Sequence, residues 1–559
     1  MEILQGFRRR PEARGDLRRD PKVRPAHASV GSKRLWQTTL VIACIGLAVG
    51  KAWSATYDLV INGGRVLDPA SRTERELNVG IEAGKIAALS PTPLVGRDSI
   101  DASGLVVGPG FIDLHAHGGT LLSGRLQLFD GVTTAIEAEV GQLPVAAAYA
   151  RAVQQGRATH YGWTASWGLA RMQVLGGVKP DGTMAPYLEG VRNNAWTRPA
   201  SPAQEAEILA LLEQGLEQGA LGIGLTHGYA PGVAHSEIQA LSRLAARENV
   251  PIMSHPRFWG GADPGGDVAA IQEIISNAIT TGAHWYVCHI SLATVETTLP
   301  MLAAAQAKGA HIDVEALVAE TGSTVLGAEF LAPEELPHFS RGFVPSDILY
   351  YGQPIADEAE LADLRAKDPA AMIFLLHRDS ERNLEHRATQ RKSFEFPGIV
   401  LASDAMPWSD RQGRLIPGDV WPLPAEAWAH PRGVATYTRF LELWVREWGE
   451  FSLMDAFRMG SYNPARALEG QVPSMKKKGR IELGADADLI LFDLSEIRVR
   501  ASLKNPRPVS EGMRHVIVRG VPVVRDGALD LNAKPGLPVR RMGEGLPDLR
   551  LGSTASSPE

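Results

Sequence analysis

The chain has 559 residues, a formal net charge of −6 and 44% hydrophobic residues. That length can bury one large core together with a smaller companion domain. The mild acidic balance argues against a nucleic-acid partner, because outside the N-terminal segment the only basic run is "KKKGR" at 476–480, which reads as a solvated turn.

The N-terminal stretch, 1–55, reads as a leader. It is first rich in Arg, Pro and Asp, then runs "KRLWQTTLVIACIGLAVGKAWSA": basic residues, a short apolar run and small residues at the end. This is the layout of a secretory signal peptide over 31–55, so export to the periplasm or beyond is expected. The apolar run Leu40–Gly50 is short for a membrane span, and a retained N-terminal anchor is the alternative. Of the two cysteines, Cys44 falls in this leader and Cys288 does not, so no internal disulfide is expected in the mature chain.

Next, 56–107 alternates short β-rich runs with Gly, Asp-Pro and Gly-Lys turns, and 471–530 has the same texture. Together they predict a small β-sandwich domain built from both chain ends. The last stretch, 531–559, rich in Gly, Pro and Arg, reads as a loosely ordered tail.

Between them, 108–470 changes pattern. Eight apolar runs, "FIDLHAH", "TTAIEAEV", "YGWTASW", "ALGIGL", "PIMSH", "HWYVCH", "HIDVEA" and "GIVLASD", alternate with helical stretches such as "SPAQEAEILALLEQGLEQG". Eight strands with intervening helices predict an α/β fold, a (β/α)8 barrel. The wide gap after the seventh run predicts a large insertion or lid at 317–397.

Polar residues fall where those runs end. His115, His117, Glu139, His255, His289 and Asp404 all lie at C-terminal strand ends, the face on which such barrels build active sites. Histidines two apart on a strand share one face, which is ligand spacing for a divalent metal. HxH alone is a weak signal, but six such residues at five strand ends predict a metal centre. Glu137 and Glu139 interrupt an apolar strand and need a positive partner, since an unpaired buried carboxylate is costly. Asp313 and Glu315 share a strand face and are expected to support the histidines. Trp163 and Trp167 are expected in the core or the pocket wall.

At this point a family resemblance becomes visible. "VVGPGFIDLHAHGG" resembles the opening of the amidohydrolase superfamily, and "SYNPARALEG" with "KGRIELGADADLILFD" its closing signature. "GLTHGYAPGVAHSEIQALSRLA", "DVEALVAETGSTVL" and "HPRGVATYTRFLELWVRE" are similar to the N-acyl-D-amino-acid deacylase branch. The resemblance implies a zinc-dependent hydrolase, with one or two ions, acting on a small N-acyl amino acid. It implies His115, His117, His255 and His289 as ligands, Asp404 beside the metal as the proton-transfer group, and Arg432 as the grip on the substrate carboxylate. His227 and Tyr229, in the strand-four loop, are candidate substrate contacts. Two departures stand out: Val140 occupies the place of the branch's cysteine ligand, and Ser291 that of a lysine. With no lysine between Lys85 and Lys179, a glutamate is left for the strand-two ligand: Glu139, nearer the strand end, or Glu137 as the alternative. An isoaspartyl dipeptidase-like or dihydropyrimidinase-like activity is the second enzyme reading, and a non-catalytic binding barrel the third.

Overall fold

A computed structural model describes residues 56–257, 266–339, 342–377 and 379–541. The leader, with its expected signal peptide, and the end of the tail, 542–559, lie outside the described residues. No helix among the described residues is long and apolar enough to cross a membrane.

All eight expected barrel strands form: β1 (Phe111–Asp113), β2 (Val132–Gln142), β3 (His160–Ser166), β4 (Ile223–Leu225), β5 (Pro251–Ser254), β6 (His284–Val287), β7 (Ile312–Leu317) and β8 (Val400–Ala402). Each pairs in parallel with the next, in chain order. Just beyond β1 and β8 the two ends of the sheet meet. The His117 N–H donates to the Ala405 carbonyl at 2.8 Å, and the Ala405 N–H to that of His115 at 3.3 Å. The helices follow from local signals. Ser201 caps Pro202–Glu217, with the Gln204 side chain returning to its backbone N–H in a capping box. Asn249 ends His235–Glu248 in the left-handed conformation.

The small domain is a nine-stranded sheet drawn from both chain ends. Val106–Pro109 joins them, pairing in parallel with Tyr57–Asp68 and antiparallel with Leu489–Phe492. Leu59, Ile61, Val79, Ile81, Val107 and Leu489 belong to its own buried core. Two glycines of "VVGPGFIDLHAH" are required by packing where this domain meets the barrel. A Cβ on Gly108 would lie 2.0 Å from the Phe457 ring, and one on Gly110 2.2 Å from the Thr133 side chain.

The stretch expected as an insertion folds on a core of its own. Thr321–Val325, Ile348–Tyr350, Gln353–Pro354 and Met372–Leu376 form a four-stranded antiparallel sheet. Leu326, Phe330, Phe339, Ile348 and Ile373 pack behind it. The tail departs from expectation. Residues 531–541 are held against the barrel: the Val539 N–H donates to Tyr161 O at 2.7 Å, the Tyr149 hydroxyl to Val539 O at 2.7 Å, and Val539 is buried. Its prolines suit an extended chain, and that chain lies beside β3, where its backbone groups find partners.

Trp163 and Trp167 are buried, as expected. Trp167 takes part in a polar knot behind the pocket. Its indole N–H donates to Glu237 at 2.8 Å, and Arg171 donates to the other Glu237 oxygen at 2.5 Å and to the Trp196 carbonyl at 2.8 Å. Arg171 and Glu237 are both fully buried. The knot ties the helix after β3 to the helix after β4. Glu237→Ala would strand a buried guanidinium and should destabilise the protein by about 3–5 kcal/mol, read as a lowered denaturation midpoint in urea; an unchanged midpoint would contradict the role.

Candidate active site

The six strand-end residues converge. His115 and His117 emerge from the end of β1, with their Nε2 atoms 3.1 Å apart. Glu139 stands between the two pairs of imidazoles. Its Oε1 lies 3.0 Å from His255 Nδ1 and 2.9 Å from His289 Nε2. Its Oε2 lies 3.5 Å from His115 Nε2 and 3.7 Å from His117 Nε2. Asp404, past β8, completes the ring at 3.1 Å from His117 Nε2 and 3.5 Å from His115 Nε2. Two sets of three, His115 with Glu139 and His289, and His115 with His117 and Asp404, have ligand atoms within 4.8 Å of one another.

The two glutamates of β2 have separate surroundings. The strand carries an irregularity between Glu137 and Gln142, with Gly141 at φ 70°. Glu137 folds back to accept from the Val140 N–H at 3.1 Å and lies 3.0 Å from His117 Nδ1. It orients an imidazole from behind, while Glu139 faces the shared centre. Glu315 does the same for His115, at 2.9 Å from Nδ1, and also accepts from the Tyr286 hydroxyl and the His289 N–H at 3.1 Å each. Asp313 does not join it. Two residues earlier on β7, it sits toward the strand start and pairs with His284 Nε2 at 2.8 Å.

Charge explains what this cluster needs. Glu137, Glu139, Glu315 and Asp404 are all buried. Arg432 is the one Lys or Arg among the described residues lining the adjoining cavity. Burial works against a charge on His115, but Glu315, Asp404 and Glu139 outweigh it and raise its pKa well above the usual value. Burial likewise opposes a charge on His117, yet Glu137 and Asp404 draw its pKa up to about 10. Burial alone would raise Glu139, but His115 and His255 hold it well below its usual range. The carboxylates thus draw protons onto His115 and His117, whereas burial brings the His255 pKa down to about 4 against the pull of Glu139. Imidazoles and carboxylates converging in a buried site are the donor set of a zinc-type divalent ion, so the residues fit that group.

Two of these residues sit on strained backbone. Asp404 has φ 52° and His289 φ 32°, the left-handed region that non-glycine residues avoid. Arg432 holds the first in place: its Nε donates to the Asp404 carbonyl at 2.5 Å, and a terminal nitrogen lies 2.8 Å from Oδ1. Burial pushes the Asp404 carboxyl up, but Arg432 and the two histidines bring it below the usual range.

The cavity over this cluster encloses about 1290 Å³, part of it open to solvent, and Arg432 and Tyr229 both line it. The Tyr229 ring lies 4.6 Å from that of His255, and its hydroxyl is 3.0 Å from Thr324 Oγ1. His227 does not reach the cavity. Fully buried, it faces Glu273 with 3.7 Å between Nε2 and Oε2, because the short turn His227–Tyr229 directs its two ends differently. Val140 and Ser291 both line the cavity. Residues that the strand-end pattern did not single out complete its wall: Tyr187 from the helix Ala185–Val191, and Glu320, Ser323 and His377 from the insertion. Nothing in the local sequence marks Glu320, Ser323 and His377, since their position depends on how the insertion folds back.

The chain is similar to several known proteins. The N-acyl-D-glutamate deacylase of Alcaligenes xylosoxydans xylosoxydans is 26% identical over 500 residues, covering 83% of this chain and 93% of that one. The D-aminoacylase of the same organism is 24% identical over 523 residues, covering 85% and 96%. A crystal structure of N-acyl-D-glutamate deacylase from Bordetella bronchiseptica, with zinc and a phosphonate mimic of the tetrahedral intermediate, superposes with a TM-score of 0.67 at 22% identity, covering 87% of this chain and all of that one. The model of the amidohydrolase family matches residues 98–524, which take in all eight barrel strands and part of the small sheet. With that span and this barrel, the chain belongs to the amidohydrolase family.

Proposed function

We propose that this chain is a zinc-dependent hydrolase of the amide bond in N-acyl amino acids, with N-acyl-D-amino acids as the preferred series. The observation that carries the reading is the adjacency of Arg432, Asp404 and the histidine–glutamate cluster at the floor of one cavity. A carboxylate-binding cation, a proton acceptor and a metal-ligand set are the three parts such a reaction needs. The relatives that act on N-acyl-D-glutamate or as D-aminoacylases support the series.

In this reading His115, His117, Glu139, His255 and His289 would hold the metal, with Asp404 beside the two β1 histidines. A bound zinc ion supplies Lewis acidity, which polarises an acyl carbonyl and lowers the pKa of water from ~15.7 toward ~7. Asp404 accepts the proton of the attacking water and delivers it to the departing amine nitrogen. Arg432 and the two histidines hold its carboxyl below the usual range, which keeps it ionised. Arg432 offers a planar guanidinium to the substrate carboxylate, which fixes the amide over the cluster. Glu137 and Glu315 hold His117 and His115 by their other ring nitrogens. We further propose, from the leader's sequence pattern, that the enzyme is exported.

The test is a hydrolysis screen of zinc-loaded protein with both enantiomers of N-acetyl amino acids, beside dipeptides and cyclic amides. Turnover of the N-acetyl-D series is expected; turnover confined to dipeptides or cyclic amides would replace the reading. Asp404→Asn should lower kcat on the best substrate by about 10²–10⁴-fold with metal content near that of wild type. Undiminished kcat would remove Asp404 from the chemistry. Metal analysis separates the two glutamates: Glu139→Gln should lose bound zinc on dialysis, whereas Glu137→Gln should keep a site weakened by about 10–100-fold. Full retention in Glu139→Gln would exclude it as a ligand.

A further inference from the structure

The strand Thr321–Val325 borders the cavity from the insertion side. The Ser323 carbonyl lies 3.5 Å from Arg432, and Thr324 meets the Tyr229 hydroxyl, so this strand flanks the groups that orient a substrate. Glu320, just before it, also lines the cavity, and about three residues of extended chain, ~10 Å, separate it from Ser323. Its carboxylate is fixed: the Ser380 N–H donates to it at 2.6 Å, and the Ser380 hydroxyl donates to its other oxygen. Burial raises its pKa, and the two Ser380 contacts and Arg439 oppose that rise.

Arg432 is already bound to Asp404 and serves one substrate carboxylate. The rest of the described wall offers a second one no lysine or arginine. It is largely apolar, with Met184, Leu188, Phe330, Leu375 and Met406, and its fixed charge away from the cluster is Glu320. His377 also borders it, with its ring against Phe343 and Phe339 at 5.0 and 5.8 Å. Desolvating a second carboxylate beside a fixed one of the same sign is doubly unfavourable.

We propose that Glu320 is a specificity-determining residue that excludes substrates with a second carboxylate, so that this cavity takes N-acyl amino acids with uncharged side chains. The inference rests on the function proposed above. It assigns the chain a substrate class different from that named for its N-acyl-D-glutamate and N-acyl-D-aspartate deacylase relatives.

The experiment compares kcat/KM of the zinc-loaded full chain on N-acetyl-D-leucine and N-acetyl-D-methionine with that on N-acetyl-D-glutamate and N-acetyl-D-aspartate, for wild type and Glu320→Gln. Wild type should favour the uncharged pair by about 100-fold. Glu320→Gln, which keeps an acceptor for Ser380, should narrow that ratio by about tenfold through a gain on the acidic pair. Acidic substrates turned over as well as uncharged ones by wild type would overturn the inference without any variant, as would an unchanged ratio in a folded Glu320→Gln protein. If no N-acetyl amino acid is hydrolysed by metal-replete protein, the proposed function falls and takes this inference with it. That outcome is distinct from hydrolysis with acidic preference, which would overturn the inference alone.

Discussion

Among the described residues, four carboxylates share the floor of this barrel with four imidazoles and a single arginine. Low dielectric makes each unpaired charge there expensive, so the arrangement is stable only if positive charge enters the centre or protons do so in its place. That constraint organises much else. It explains why two glutamates interrupt an otherwise apolar strand, and why Glu315 is fully buried. It also explains why Arg432 contacts Asp404 through both its backbone and its side chain. Under the proposed function, a site that holds a cation between anions would also stabilise an anion forming beside that cation, so that packing electrostatics become catalytic electrostatics.

Much of this was legible in the residues themselves. The eight barrel strands carry continuous apolar runs, and their polar residues cluster at one end, a pattern that a parallel strand buried on both faces makes conspicuous. The separate surroundings of Glu137 and Glu139 were less accessible. Simple alternation puts both on one face, but the irregularity at Gly141 lets Glu137 turn back toward the Val140 N–H. Alternation also grouped Asp313 with Glu315, although one sits at the start of the strand and the other near its end. His227 was singled out with Tyr229 because they share a loop, and the tight turn sends them to different environments. The ordered segment 531–541 was hidden by composition: proline and glycine describe a chain without regular structure, which is not the same as one without partners.

The insertion shows the limit of reading from local pattern. Its strands form a sheet with a private core, and only that tertiary arrangement brings Glu320, Ser323 and His377 to the same space as residues from β1, β2 and β8. The reaction centre is thus written along the barrel strands, whereas the shape and charge of the substrate's surroundings are written in a module attached after β7.

The junction at Gly108 and Gly110 has a mechanical consequence. Val106–Pro109 of the small sheet passes within one residue into β1, and β1 leads directly to His115 and His117. With Phe457 pressed on Gly108 and Thr133 on Gly110, there is no slack between the peripheral sheet and the histidine pair. The small domain acts as an anchor for the histidine pair: its nine strands, drawn from both chain ends, fix the starting point from which His115 and His117 are aimed. A chain cut short after the barrel would leave that anchor half built, and the cluster would lose its alignment without losing a single one of its side chains.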